Sequence, residues 1–425
     1  MWESPFVIGP ETPGGFKRSP SWGTAVQLGA GEKYRFLPHG ITLTREDQPD
    51  DSMGQSYPKR SDKGSATVSG PLPGYMYWDW IDRLIACVMG GSTNPTFLGT
   101  PETGTATGGS ATTLVDSGAA WTPDALIGKR IQITDVSPTP DLVKTVEITD
   151  NDATSVTFAN IGFTVANLDT YAIDDGAASH LYTMRTHSTG IFGTLAFDNG
   201  RRYIEEFPSA KLIGFKIHCE KQKPLQITLD VEANAKVLNS VVNTLATMLA
   251  LAEPSAVDDR MLHRFSRLRI NEQSGGALGT GDIMTKWKSW DLVYKRGTDR
   301  SYGVGSDNDQ IAEPGEIKVP ERTLTIVRER HEDATHLINW EAGTKMKGDF
   351  LVTGPEIITG VNRQFLVEFP ALSYTQANAP QKAEAFEETL AFDLHEAVAA
   401  PTGMTGVLPF QITLDNAYCG DPLQE

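Results

Sequence analysis

Alternation between apolar and polar positions dominates this chain. Leu225, Ile227, Leu229 and Val231 alternate with Gln226, Thr228, Asp230 and Glu232, which gives a strand one apolar and one polar face. Similar runs predict strands at 41–44, 65–69, Leu181–Thr186, Gly193–Phe197, Arg202–Phe207, Leu212–Cys219, Trp290–Lys295, Arg322–Arg328 and Glu388–Glu396. Helical spacing is rarer. Tyr77, Ile81, Leu84, Ile85 and Val88 fall on one face of a helix over 77–89, with Asp79, Asp82 and Arg83 off that face and Gly90-Gly91 ending it. A longer helix is predicted over Lys236–Ala252 and a short one over Glu332–Ala342.

Between Gly99 and about Asp174 the texture changes to Thr, Ala, Asp and Gly. Five short strands are predicted there, at Ala111–Val115, Lys129–Thr134, Leu142–Thr149, Thr154–Ala159 and Thr170–Ile173. A run of this kind, entered and left through glycine-rich segments, reads as a small all-β domain (99–175) inserted into a host. The host then occupies 1–98 and 176–235, a helical linker 236–258, and a second domain 259–425.

The two parts of the host repeat each other. Strand, long polar loop, strand, helix and a strand ending in Glu-Phe-Pro occur in that order in both. The anchors are Arg201-x-Tyr203-Ile204-x-Glu206-Phe207-Pro208 and Arg363-x-Phe365-Leu366-x-Glu368-Phe369-Pro370. Past them Leu225–Glu232 corresponds to Glu388–Glu396, with Asp230 near Asp393. The polar loops, 46–64 and 296–318, follow the first strand of each half; loops of this length inside compact domains are usually functional or disordered, so contact arms are expected here, with simple surface excursions as the alternative.

Composition narrows the partners. The 425 residues carry 37 Lys plus Arg against 54 Asp plus Glu, a net charge of −17, which argues against tight electrostatic binding of nucleic acid. Three distant cysteines, Cys87, Cys219 and Cys419, offer no C-x-x-C for a disulfide framework or structural zinc. The first residues lack a basic and apolar leader, and Val237–Ala252 is too short and polar for a membrane anchor. The expectation is a soluble protein.

Catalytic signatures are weak. His331 and His336 are five apart, so they diverge around a helix instead of sharing a face as zinc ligands do. Asp150-Asn151-Asp152 and Asp307-Asn308-Asp309 lack the glycine and the closing glutamate of a calcium loop. No nucleophile elbow, Walker or dinucleotide fingerprint is present. The expectation is no enzyme activity, no cofactor and no metal. The cluster Tyr75, Tyr77, Trp78 and Trp80 reads as helix packing, with a sugar platform as the alternative.

The opening GPETPGGFKRSPSWGTAV, the strand–long loop–strand–helix order and the alternating strands that follow resemble the major tail tube proteins of siphophages. The insert GTATGGSATTLVDSGAAWTPDALIGKRIQIT is similar to the immunoglobulin-like β domains that decorate phage structural proteins. The resemblance implies a mainly β fold of two tandem tail-tube β-sandwich or barrel domains, each with a flanking helix and a long stacking loop, plus the inserted β-sandwich decoration domain. It also implies a structural virion protein, assembled in the host cytoplasm, whose fused domains form trimeric pseudo-hexameric rings. Its partners would be further copies of itself and the tail tip, tape measure and tail terminator proteins. Genomic DNA would transit the lumen without specific binding. The decoration departs from the family by sitting inside the first half, where many members append it at the C-terminus.

Barrel geometry gives the count a meaning. At ~4.8 Å between strands and a tilt of ~40°, roughly 24 strands close a circle roughly 48 Å across, and side chains leave a lumen of roughly 35–40 Å that admits a DNA duplex. About 12 strands would close roughly 24 Å, filled largely by side chains. Asp230, Glu232 and Asp393 are the candidates to face such a channel, where carboxylates repel phosphate. Asp50, Asp51, Lys59, Arg60, Arg300, Asp307 and Asp309, in the two loops, are the candidate inter-ring contacts. Eight acidic residues against Lys382 alone crowd 381–425. Two other classes remain open: a carbohydrate-binding adhesin or baseplate component using the Trp78/Trp80 region, and a β-rich hydrolase with paired carboxylates.

Overall fold

The structure is a computed structural model that describes residues 13–49, 61–62, 64–91, 94–138, 141–185, 188–200, 203–253, 259–302, 310–329, 334–378 and 387–423. The chain is mainly β, with large antiparallel sheets and three short α-helices among the described residues. It divides into two compact units. The first comprises Met1–Gly90, Met184–Asp349 and Glu368–Phe410; the second comprises Gly91–Thr183, Phe350–Val367 and Gln411–Glu425.

A run of eight strands passes through the first unit: β1 (Thr42–Arg45), β2 (Ala66–Tyr75), β3 (Ile204–Glu220), β4 (Gln226–Ala233), β5 (Trp287–Asp299), β6 (Gly315–Arg328), β7 (Val361–Asn378, in this unit from Glu368 onward) and β8 (Glu388–Leu394). They pair antiparallel in the order β1-β2-β4-β3-β5-β6-β8-β7. The first four come from one half of the sequence and the last four from the other, in the same internal order. The junction is β3 against β5, Gly214 opposite Lys295 through Glu220 opposite Ser289. The sheet thus runs continuously from one half of the sequence into the other.

The repeat extends to irregularities. The β3–β4 ladder shifts register between Leu212 and Gly214, and the β7–β8 ladder between Tyr374 and Gln376. Each pair is separated by the same 162 residues as the two Glu-Phe-Pro anchors. Such bulges redirect a strand and are specific features of a fold. The corresponding positions within the next strands are Glu232, opposite Lys211, and Asp393, opposite Ser373. Asp393 thus corresponds to Glu232, two residues beyond the expected match with Asp230.

Several expected elements change. The two strands expected at Arg202–Phe207 and Leu212–Cys219 join as one, β3, which begins at Ile204 and continues through Pro208. The neighbouring strand Gly193–Asp198 pairs Gly193 with Ala210 and Leu195 with Phe207, so Pro208 and Ser209 share a bulge. There the missing N–H of proline costs no ladder bond. The helix expected over Lys236–Ala252 is instead a short strand Val237–Leu238 followed by α2 (Leu245–Leu249). Ser240 accepts from the Val242 amide, and buried Asn243 bonds the Leu28 amide, the Val26 carbonyl and Glu206. Polar side chains spent on backbone in this way compete with helix. Much of the expected loop 296–318 is a ribbon, paired as far as Asp299 opposite Gly315.

Two further helices occupy equivalent places. The α1 helix (Asp82–Met89) ends at Gly90, φ 81°, and α3 (Thr335–Glu341) is followed by Gly343, φ 66°. A left-handed residue at the end of a helix favours glycine. Seven of the eight α1 residues are buried, Asp82 among them, and Asp79 is buried just before it. Of the residues expected off the apolar face, Asp79 and Asp82 are thus covered as well, and Arg83 is half-buried.

In the second unit the insert has its own core. Ala106, Leu114, Trp121, Ile131, Ile133, Ile148, Val156, Phe158, Tyr171 and Ile173 are buried together in one cluster. Seven strands surround it, from Glu102–Thr105 at one end of the order to Gly108–Gly109 at the other. The segment begins and ends at one place, since the Thr100 amide donates to Asp175 at 2.7 Å. Residues 99–175 expressed alone should fold and unfold in a single cooperative transition. Trp121 fluorescence and far-ultraviolet circular dichroism should melt together, and a non-cooperative melt would show that the core depends on the rest of the chain.

Candidate functional site

Alternation along the eight strands gives the sheet one apolar and one polar face. On β4, Ile227, Leu229 and Val231 are buried while Gln226, Thr228 and Asp230 are only half-buried. Following the ladders, the polar face carries Thr42 and Thr44 on β1, Lys216, His218 and Glu220 on β3, and Ser289, Asp291 and Lys295 on β5. Glu321, Thr323 and Thr325 on β6 and Asp393 on β8 complete it. Acidic groups outnumber basic ones here, yet most have a cation nearby. Lys216 lies 3.0 Å from Asp291 and Lys295 lies 4.0 Å from Asp230. Exposed pairs of this kind contribute little to stability, typically below about 1 kcal/mol. Their effect is on the field over the face.

His218 sits in the middle of this face. Its Nδ1 is 2.7 Å from Asp291 Oδ1, and its Nε2 is 3.7 Å from Glu220. The bond to Asp291 raises the imidazole pKa above its ordinary value, against the opposing effects of partial burial and Lys216. Asp291 is held low: burial works to raise it, but His218 and Lys216 more than offset that. A raised folded-state pKa means that this contribution is complete below about pH 6.5 and is lost as pH rises through the folded value. The His218 ring resonances in NMR should accordingly titrate above pH 6.5, and Asp291→Asn should bring the midpoint down. A midpoint below 6.5 in the unmodified chain would contradict this geometry.

Of the residues singled out in the sequence, Asp230 displays a side chain that is 40% exposed, and Asp393 is half-buried on the same face. Glu232 shares their parity but is covered. Arg300 donates to it from Nε at 3.0 Å and Nη2 at 2.7 Å, and Thr298 Oγ1 lies 3.3 Å away. Arg300 is therefore engaged inside the chain through Glu232. Asp50, Asp51, Lys59, Arg60, Asp307 and Asp309 lie outside the described residues, as does His331. His336 bonds the Tyr374 hydroxyl through Nδ1 at 2.8 Å. Trp78 and Trp80 are buried, Trp80 stacked on Tyr77 at 4.5 Å and covered by the Arg35 guanidinium. They pack within the fold.

A buried charge network under the β5–β6 ribbon carries no sequence signature beyond polar residues amid a predicted loop. Arg296 donates to the Val88 carbonyl at 2.8 Å and Arg185 carbonyl at 3.2 Å, to Glu316 at 2.6 Å, and to the Met89 carbonyl at 2.5 Å. Lys211, fully buried, bonds Glu313 at 2.9 Å and the Pro314 carbonyl at 3.0 Å. Arg296 thus closes the C-terminal end of α1, where carbonyls without helical partners favour a cation. One half of the repeat caps the helix of the other.

The three cysteines are buried free thiols. Burial pushes Cys87 and Cys219 up to about 12 and raises Cys419 as well. Among the described residues no group of three or more His, Cys, Asp or Glu is placed to hold a metal ion, and no helix is long and apolar enough to cross a membrane. No protein-family model matches the chain, and no curated protein is similar to it in sequence.

Proposed function

We propose that this chain is a structural tail tube subunit of a siphophage-type tail, which polymerises as trimeric rings around a channel for DNA. The observation that carries this reading is the duplicated strand order joined edge to edge. β1-β2-β4-β3 meets β5-β6-β8-β7 through β3 and β5, leaving β1 and β7 as the two ends of this run of eight, with β7 paired to a further strand along part of its length. The β3–β5 joint supplies a template for joining one chain to the next. Transferred through the repeat, its register sets Gln376 of one copy opposite Thr44 of the next, Ala377 opposite Leu43, and Asn378 opposite Thr42. Eight strands per chain give the roughly 24 strands of a DNA-sized barrel when three chains close.

Leu43 fits such a role. It corresponds to Tyr294, which is buried against Phe215 and Phe410, yet Leu43 is 46% exposed on an end strand. Exposed apolar edge strands are a liability that isolated domains avoid. The polar face would line the channel, and its excess of carboxylates over lysines discourages phosphate from adhering.

Electron microscopy and native mass measurement at high protein concentration test the reading. The smallest closed ring should contain three chains of 46.2 kDa, about 139 kDa, as expected for cyclic symmetry with two domains per chain. Rings of six chains, or particles that bind a glycan and never stack, would sink it.

A further inference from the structure

The two helices of the repeat share a sequence pattern but not an environment. Aligned on Gly90 and Gly343, Leu84-Ile85 of α1 falls on Leu337-Ile338 of α3, and Val88-Met89 falls on Glu341-Ala342. Ile85 is completely buried, whereas Ile338 is 59% exposed, and Leu337 and Trp340 are also exposed. Glu341 and Ala342 are exposed too. Each helix is held to the equivalent strand of its own half: α1 packs on β3, and His336 of α3 bonds Tyr374 of β7. What α1 has in addition is the second half of the chain, which supplies Arg296 to its last carbonyls.

The repeat identifies the counterpart of Arg296. On the ladder row of Glu232, Thr42 lies opposite Ser69, and on the row of Asp393, Val293 lies opposite Thr323. Thr42 therefore corresponds to Val293, Leu43 to Tyr294, Thr44 to Lys295 and Arg45 to Arg296. Leu43 and Arg45 share the face of β1 turned away from the polar side, as Tyr294 and Arg296 do on β5.

We infer that α3 is the docking surface for the β1 end of a second copy of this chain, with Arg45 of that copy capping the α3 carbonyls as Arg296 caps those of α1. The second copy is the occupant because the chain already contains this contact once, between its own halves. Leu337, Ile338 and Trp340 then become buried against the incoming copy. The contact joins unlike surfaces, α3 on one side and β1 on the other, so it propagates head to tail. It deepens the ring reading and requires only that two copies meet.

Complementation between two variants tests this. Ile338→Asp spoils the α3 side and Arg45→Ala spoils the β1 side, and each should weaken self-association measured by sedimentation by about tenfold to a hundredfold. Because Ile338 is exposed in the single chain, Ile338→Asp should leave the thermal melt of the monomer unchanged. Mixed one to one, the variants retain one intact pair of surfaces, Arg45 of the Ile338→Asp chain against α3 of the Arg45→Ala chain. The mixture should form dimers and stop. Variants that assemble as well as the parent overturn the inference while leaving ring formation standing. A mixture that stays monomeric assigns α3 to another occupant and overturns it also. A parent chain that stays monomeric throughout overturns both readings.

Discussion

Arg296→Ala is expected to destabilise the chain by about 3–5 kcal/mol, the cost of leaving a buried charge without its partner. The side chain is only 1% exposed and satisfies Glu316 together with the Val88, Met89 and Arg185 carbonyls, so one truncation strands several buried polar groups. Glu316 sharpens the expectation. Burial works to raise its pKa, but the Ser188 hydroxyl and amide and the Arg296 charge bring it below the usual carboxylate range. A depressed folded-state pKa stabilises fully above about pH 4.5 and is lost as pH falls through the folded value. Urea unfolding at neutral pH should therefore show a much lower midpoint for the variant with an unchanged slope, and the gap from the parent should narrow in acid. A midpoint shift worth less than about 1 kcal/mol would show that the network is replaceable by water or repacking.

The second large effect concerns assembly and spares the single chain. Leu43→Asp should lower ring or tube formation by about a hundredfold to a thousandfold, since a carboxylate would occupy the position that Tyr294 fills within the chain. The monomer should melt within about 0.5 kcal/mol of the parent, as exposed positions usually do. A complementary result comes from Leu43→Cys with Ala377→Cys. Mild oxidation of the assembled protein should give covalent species of two and three chains and no larger, because the transferred register places these residues opposite each other on neighbouring strands of one ring. The three natural thiols are buried and should not compete. Covalent species that form equally well with Leu43→Cys alone would show that the register is not the one carried over from β3 and β5.

The fold was legible wherever alternation or helical spacing is strong. The β4 pattern at 225–232 and the apolar spacing of Ile81, Leu84, Ile85 and Val88 both correspond to real elements. It was misread where side chains compete with the backbone. Asn243 and Ser240 divert their neighbours from helix, and Pro208 reads as a break although a bulge accommodates it. The repeat was visible in Glu-Phe-Pro, but its strongest evidence, the matched bulges and the unbroken strand order, depends on pairing that no single strand encodes. Candidate residues fared according to their neighbours. Asp230 and Asp393 fall on the polar face as their parity dictates, whereas Glu232 is covered because Arg300 arrives from just beyond β5, far away in sequence. Arg296 and Lys211 gave no signal, since a buried cation is recognisable only once its acceptors are assembled around it.

The joint between β3 and β5 has a kinetic consequence. Every association between separate chains forfeits translational and rotational freedom, about 4–15 kcal/mol at the standard concentration. A connection along the same polypeptide avoids that loss and acts at a high effective concentration. In the proposed ring of six such half-sheets, three of the six seams would be formed during folding, before any collision between subunits. Growth needs half as many encounters, and the seams that remain to be made are all of one kind. Their strength is open to adjustment without touching the seams that fold with the chain.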